Sequence, residues 1–223
     1  MIISKTPYRI SLFGGGTDFE KWFKKNEGLV ITTTIDKYCY ISLRNLPDFY
    51  KYKTRLVWSL IEEVQNNKDI KHPVVNKVLK YYNYSKGLEI HYDADLPSRS
   101  GLGSSSSFTI GFLNAFYNLI NKKIDKKILA KDSIFVEQIL LKELGGVQDQ
   151  IQIANGGFNI ISINKKGEYN IYSKIDIKKL KNLKKYLLLF YTGVQRHSSA
   201  VTEITLQKLN SKAKNIEKIY QIA

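Results

Sequence analysis

Two carboxylates, a run of four serines and two glycine clusters are the residues of this 223-residue chain whose types and spacing could do chemistry. Glu137 stands in a helical pattern with Ser133 and Ile134 one turn before it and Leu140 and Leu141 one turn after, so no Lys or Arg is placed to pair with it. Such a carboxylate is either a plain surface group or a buried one. A buried one needs a partner, and a divalent cation is suited to it. Asp149 falls in the first turn of a short helical stretch after Gly145-Gly146. There it either complements the helix dipole or serves as a base or orienting group for the proton of a substrate hydroxyl during phosphoryl transfer.

The serines close the stretch Leu96-Pro97-Ser98-Arg99-Ser100-Gly101-Leu102-Gly103-Ser104-Ser105-Ser106-Ser107. Before it, Leu88, Ile90, Tyr92 and Ala94 alternate with polar residues, as in a half-buried strand. After it, Phe108, Phe112, Ala115, Phe116 and Leu119 recur at helical spacing. Strand, small-residue loop and helix start together aim free backbone N–H groups at one point, which favours a phosphate. A Walker loop would need Lys where Ser104–Ser107 stand, and the dinucleotide fingerprint would need glycine at Ser106. Hydroxyls in place of Lys hold phosphate through backbone and Ser oxygens and offer a Ser ligand to Mg²⁺. The plainer alternative is a serine-rich helix cap. At the other cluster, Gly14, Gly15 and Gly16 precede Thr17 and Asp18, with Arg9 upstream. A cation and a carboxylate beside a flexible loop suit a polyol, and they are also ordinary residues of a strand end and a turn.

The elements that must position these groups form an α+β pattern. Residues 2–4 and 10–13 read as two strands, 19–25 as a short helix, and 29–43 as two adjacent strands joined near Asp36-Lys37. Residues 56–58 suggest a strand and 59–66 a helical turn or two. Pro73 opens a helix at its first position. Beyond the serine loop come helices over 128–144 and 147–154 and a hairpin of 158–163 with 169–173. A lysine-rich linker then leads to an apolar strand at 186–191 and a last helix capped by Ser198 or Ser199.

Composition narrows the classes further. The net charge of +15 raises nucleic acid as a partner, but the lysines are dispersed in short pairs, which favours a solvated basic surface. No window approaches the ~20 apolar residues of a membrane span and no signal-peptide pattern opens the chain, so a cytoplasmic protein is expected. The single cysteine, Cys39, reads as core. His72, His91 and His197 share no metal-ligand spacing.

The segment Pro97-Ser-Arg-Ser-Gly-Leu-Gly-Ser-Ser-Ser106 resembles the central ATP-binding motif of the GHMP kinases. Pro7-Tyr-Arg-Ile-Ser-Leu-Phe-Gly-Gly-Gly-Thr-Asp18 resembles that family's N-terminal substrate motif, and Gly145-Gly-Val-Gln-Asp-Gln150 follows in the family's order and approximate spacing. Within the family, the N-terminal segment and Thr33-Thr-Ile-Asp-Lys-Tyr-Cys-Tyr-Ile41 look most like the D-glycero-D-manno-heptose 7-phosphate kinases. Galactokinases carry Glu-His where Gly15-Gly16 stand. The resemblance implies an N-terminal domain like domain 2 of ribosomal protein S5 over residues 1–183, then an incomplete ferredoxin-like C-terminal domain over 184–223.

It also implies ATP-dependent phosphorylation of the anomeric hydroxyl of the heptose 7-phosphate to the 1,7-bisphosphate. In that scheme Asp149 is the base or orienting residue and Arg9 supports it. The loop of Pro97, Ser100, Gly101, Leu102, Gly103, Ser104, Ser105 and Ser106 binds ATP. Glu137 and Ser104 or Ser105 hold Mg²⁺, and Gly14, Gly15, Gly16, Thr17 and Asp18 bind the sugar. Arg99, Arg196 and Lys37 are candidates for its 7-phosphate. The alternatives are a non-catalytic paralogue that binds nucleotide or a partner, and a kinase for fucose or galactose. No third glycine-rich motif follows Gly193, so uncovered apolar surface and self-association are expected of the C-terminal part.

Overall fold

The computed structural model describes residues 1–173, 176–190 and 192–193. One seven-stranded sheet is built around β2 (Gly28–Asn45). β1 (Ile2–Phe13) pairs antiparallel along one edge of β2. The other edge is shared end to end. β6 (Phe158–Ile163) pairs with residues 28–33 and β5 (Leu88–Ala94) with residues 39–45, both antiparallel. β7 (Tyr169–Tyr172) extends the sheet beyond β6, while β3 (Thr54–Val57) lies parallel to β5 and carries β4 (Ile61–Val64) at the margin.

Two of the expected breaks are absent. β1 runs through residues 5–9 without interruption, because Tyr8 is fully buried and holds the middle of the strand in the core. β2 is likewise one strand of 18 residues. The Asp36-Lys37 signal is a bulge: Pro7 faces Tyr38 and Arg9 faces Thr34, so three residues of β2 lie opposite Tyr8 alone. The bulge also changes the phase of burial. Val30 and Thr32 point inward before it, Cys39, Ile41 and Leu43 after it, so both halves of the strand present apolar residues to the core.

Residues 59–66 carry β4, where a helical turn was expected, and a 3-10 turn follows at Asn67–Asp69. α1 (Glu20–Asn26) and α2 (Pro73–Tyr81) form where their sequence signals lie. α3 (Ser104–Leu119) is the central helix and is buried along most of its length. Phe108, Phe112 and Phe116 stack along one side with ring centroids 6.1 and 6.0 Å apart. Gly111 lets α3 approach β1, since a Cβ there would meet the Thr6 hydroxyl at 2.8 Å.

The expected helix over 128–144 is divided. α4 (Lys126–Ile134) is capped by Asp125, whose carboxylate accepts from Ile128 N, and a π-helical turn, Phe135–Leu140, continues it. α5 (Gln148–Asn155) precedes the β6–β7 hairpin. The lysine-rich linker contains α6 (Ile177–Lys184). Residues 186–190, expected to begin a strand, form none, and Tyr186, Leu187, Leu188, Leu189 and Phe190 are exposed. The rest of that strand and the last helix lie outside the described residues. So does nearly all of the segment on which a ferredoxin-like domain was expected. Among the described residues, no helix is long and apolar enough to cross a membrane.

Candidate active site

Arg9 lies on β1 and joins the two stretches that carry the chemistry. Its Nε donates to Asp149 Oδ1 at 2.6 Å and its Nη2 to Asp149 Oδ2 at 2.5 Å, a two-pronged pair with side chains 13% and 24% exposed. Its Nη1 donates to Gly101 O at 2.8 Å, and its backbone N to Leu102 O at 3.0 Å. One guanidinium therefore fixes the glycine loop and the α5 carboxylate relative to each other.

The loop ends in a helix start open to an anion. Gly103, with φ 76°, takes the N-cap position in the left-handed region, and no side chain caps the first turn of α3. A Cβ on Gly103 would press on Arg9 Cγ at 3.1 Å and Ile153 Cδ1 at 3.2 Å, whereas one on Gly101 would meet nothing within 4 Å. The backbone at Gly101 is thus free for a close approach by a ligand. Of the serines, Ser104 Oγ accepts from Arg99 N at 3.2 Å and Ser105 is exposed. Ser107 Oγ donates to Pro7 O at 2.9 Å, tying α3 to β1.

Glu137 is buried, which closes the surface alternative left open by its sequence pattern. The π-helical turn carries it inward, where Ser106 Oγ donates to Oε2 at 2.9 Å and Gln150 Nε2 makes a short hydrogen bond to the same oxygen. The serine that meets Glu137 is therefore Ser106, not Ser104 or Ser105. Oε1 has no hydrogen-bond partner among the described residues. The Thr109 hydroxyl gives its proton to Ser105 O at 3.1 Å and has none left for it. A buried carboxylate oxygen with a free lone pair, with the Ser106 hydroxyl on the same carboxylate, is a donor set that fits a hard divalent cation such as Mg²⁺. No cluster of three or more His, Cys, Asp or Glu exists among the described residues, so any such cation would rest on Glu137, Ser oxygens and ligands from outside the chain.

Asp18 is also buried, and its carboxylate is turned into the protein instead of toward a sugar. Oδ1 accepts from Gly16 N at 3.0 Å and Oδ2 from Gln148 N at 3.1 Å, with Gln148 Nε2 3.4 Å from Oδ1. Ser11 Oγ donates to Gln148 Oε1 at 2.8 Å. Thr17 Oγ1 donates to Gly14 O at 2.7 Å and accepts from Leu29 N at 3.0 Å. A Cβ on Gly14 would overlap Leu29 O at 1.9 Å. Asp18 and Thr17 thus fold the glycine segment onto β2 and α5, and the exposed part of that segment is left for a ligand. Arg99 and Lys37 are exposed, and Arg196 lies outside the described residues.

Residues 148–150 thus reach three ways from one turn. Gln148 holds Asp18, Asp149 pairs with Arg9, and Gln150 holds Glu137. Both glutamines belong to the Gly145–Gln150 segment, whose resemblance gives a role to Asp149 alone. Their position on either side of a candidate carboxylate was the signal available.

Burial leaves a mark on stability. Desolvation raises Asp18 from an ordinary 3.8 to about 6, against the pull of the Gln148 and Gly16 amides. It raises Glu137 from 4.5 to about 7, against the hydrogen bonds from Gln150 and Ser106. Both groups bind their proton more tightly when folded, so the stability they support is complete below pH 4 and is lost as pH rises through about 6 and 7. His72 works the other way. Burial lowers it from 6.5 to about 4, so its contribution grows with pH across that interval and offsets one of the two carboxyls. The expected result is a net fall in unfolding free energy, on the order of 2 kcal/mol, between pH 5 and 7 without divalent cations, measured by urea unfolding. A free energy that rises across this range would show that the two carboxyls are not proton-binding groups of the fold.

Residues 68–157 match the family described as the GHMP kinases N terminal domain. The chain is 28% identical over 242 residues to the D-glycero-alpha-D-manno-heptose 7-phosphate kinase of Campylobacter jejuni, covering 99% of this chain and 68% of that one. It is 29% identical over 204 residues to a galactokinase of Pyrococcus furiosus, covering 87% and 54%. The fold matches the crystal structure of a D-glycero-D-manno-heptose 1-phosphate kinase from Bacteroides thetaiotaomicron with a TM-score of 0.72 at 23% identity, over 81% of this chain and 61% of that one. The chain therefore spans about half to two thirds of the length of these relatives.

Proposed function

From the match of residues 68–157 to the GHMP kinases N terminal domain we propose that the chain acts in ATP-dependent phosphorylation of a sugar phosphate, most specifically of the anomeric hydroxyl of D-glycero-D-manno-heptose 7-phosphate. The observation that carries the reading is the Arg9 guanidinium, which binds Asp149 and Gly101 O at once. In a kinase this contact sets the distance between the group that handles the acceptor hydroxyl and the loop that holds the donor phosphates. The heptose kinase of C. jejuni, whose similarity runs the length of the chain, supports the choice of sugar.

The residues divide the work as follows. The amides at the start of α3 and the Gly101–Gly103 backbone hold the phosphates of ATP. Asp149, oriented by Arg9, accepts the hydrogen of the sugar hydroxyl and takes its proton as the oxygen bonds to the γ-phosphorus and ADP departs. Arg9, shared with Gly101 O, keeps this carboxylate in line with the loop. Glu137 Oε1 and a serine oxygen would hold Mg²⁺, which when bound supplies neutralisation of phosphate charge. Gly15, the exposed residue of the segment pinned through Asp18 and Gln148, lies against the sugar.

The test is a coupled ADP-release assay with the heptose 7-phosphate, galactose and fucose, run on this chain and on any longer natural form of it. The expected kcat/KM for the heptose 7-phosphate exceeds that for either free sugar at least tenfold. A preference for galactose would move the assignment toward the relative from P. furiosus. ADP release with none of the sugars by either form would favour a nucleotide-binding paralogue without transferase activity.

A further inference from the structure

Gln150 is buried, and its amide makes the short contact with Glu137 Oε2 already described. Ser106 Oγ binds that same oxygen at 2.9 Å, while Glu137 Oε1 and Gln150 Oε1 are both buried without a hydrogen-bond partner among the described residues. Two donors on one carboxylate oxygen fix the plane of the carboxylate and use the lone pairs of that oxygen. The other oxygen is left with its lone pairs unused.

We propose that Gln150 is a positioning residue for the divalent cation, holding Glu137 by Oε2 so that Oε1 alone is offered to the metal. The proposal rests on the kinase reading, and it adds a role for Gln150, to which the resemblance of the Gly145–Gln150 segment assigned none. A cation that demands oxygen ligands at fixed distances binds weakly to a carboxylate free to turn between one-oxygen and two-oxygen contact. A donor in the outer shell removes that freedom.

The covalent arrangement gives the contact a second consequence. Gln150 follows Asp149 in the first turn of α5, so the peptide bond between them links the position of the cation ligand to that of the proton acceptor. A glutamine kept only to fill space would gain nothing from its amide here. Its carbonyl is buried without a donor, which is a cost that a methionine of similar shape would not carry.

Gln150→Met keeps the length of the side chain and removes the donor. Cation affinity is measured on the whole chain with saturating ADP, by Mn²⁺ electron paramagnetic resonance with Mg²⁺ as competitor. The expected result is a Kd raised roughly 10- to 100-fold in Gln150→Met, with nucleotide affinity in EDTA and the urea midpoint close to those of the unmodified chain. A Kd within twofold of the unmodified value overturns the proposal and leaves the kinase reading standing. Failure of the unmodified chain itself to bind Mn²⁺ removes Glu137 from the cation site and strikes the kinase reading instead.

If Gln150→Met does not fold, the unmodified chain still supplies a reading. Its Gln150 side-chain amide resonance is expected to shift on adding Mg²⁺ with the same midpoint as cation binding. An amide resonance that stays still while the cation binds overturns the proposal.

Discussion

Asp149→Asn is expected to lower the turnover of phosphoryl transfer by roughly 10²- to 10⁴-fold while the Kd for nucleotide stays within about twofold. The substitution preserves size but puts an NH₂ group against the Arg9 guanidinium, so one of the two bonds at 2.5 and 2.6 Å becomes a donor facing a donor. The acceptor for the sugar hydroxyl is lost with it. The loop is spared, because Arg9 Nη1 still reaches Gly101 O at 2.8 Å and Arg9 N still reaches Leu102 O. Single-turnover ADP formation and fluorescent-nucleotide titration measure the two quantities separately. Turnover near that of the unmodified protein would remove Asp149 from the mechanism, and a parallel collapse of nucleotide binding would mean that it acts through the loop.

Gly146→Ala is expected to cost about 3 kcal/mol of stability or more, although it adds a single methyl group. That methyl would lie 1.7 Å from Asp18 Oδ2 and 2.4 Å from Asp18 Cγ, inside a carboxylate that Gly16 N and Gln148 N hold in place. Asp18 must turn away, and two backbone amides then lose their acceptor in a dry site. In an Asp18→Ala background the same methyl has space, so Gly146→Ala should cost less than about 1 kcal/mol there. Urea unfolding of the four proteins gives the coupling directly. Equal costs in the two backgrounds would show that the close approach of Gly146 and Asp18 is not what makes glycine necessary.

The glycine and serine loop was legible because three local signals coincide there, namely alternation before it, small residues within it and a helical repeat after it. Asp149 was legible as one of two readings, and its pairing with Arg9, 140 residues away, lies beyond any local pattern. Glu137 could not be placed by periodicity, because the turn that carries it is π-helical and rotates its residues away from the positions that a 3.6-residue repeat assigns. Which hydroxyl meets Glu137 depends likewise on the packing of α3 against that turn, and it is Ser106 that does so. Asp18 was taken for a sugar ligand from its neighbours in sequence, whereas its carboxylate accepts from Gly16 N in its own loop and from Gln148 at the start of α5, 130 residues later. The long strand β2 was divided in two because Asp36-Lys37 has the composition of a turn. A bulge in the middle of a strand uses the same residues, and only the strand on each side tells them apart.

The shared edge of β2 also bears on how the chain comes off the ribosome. Its first half pairs with β6, and Gly28 meets Ile163, so roughly 130 residues must be made before that edge is covered. At translation speeds on the order of 5–20 residues per second, this amounts to about 10 seconds during which an apolar strand with Val30 and Ile31 has one open side. β5 reaches the other half of the edge much sooner, through Leu88 to Ala94. The part of the protein that closes last during synthesis is therefore the part that α5 and its three consecutive polar residues complete. A nascent chain halted before β6 should hold on to a chaperone, and one extended past Ile163 should release it.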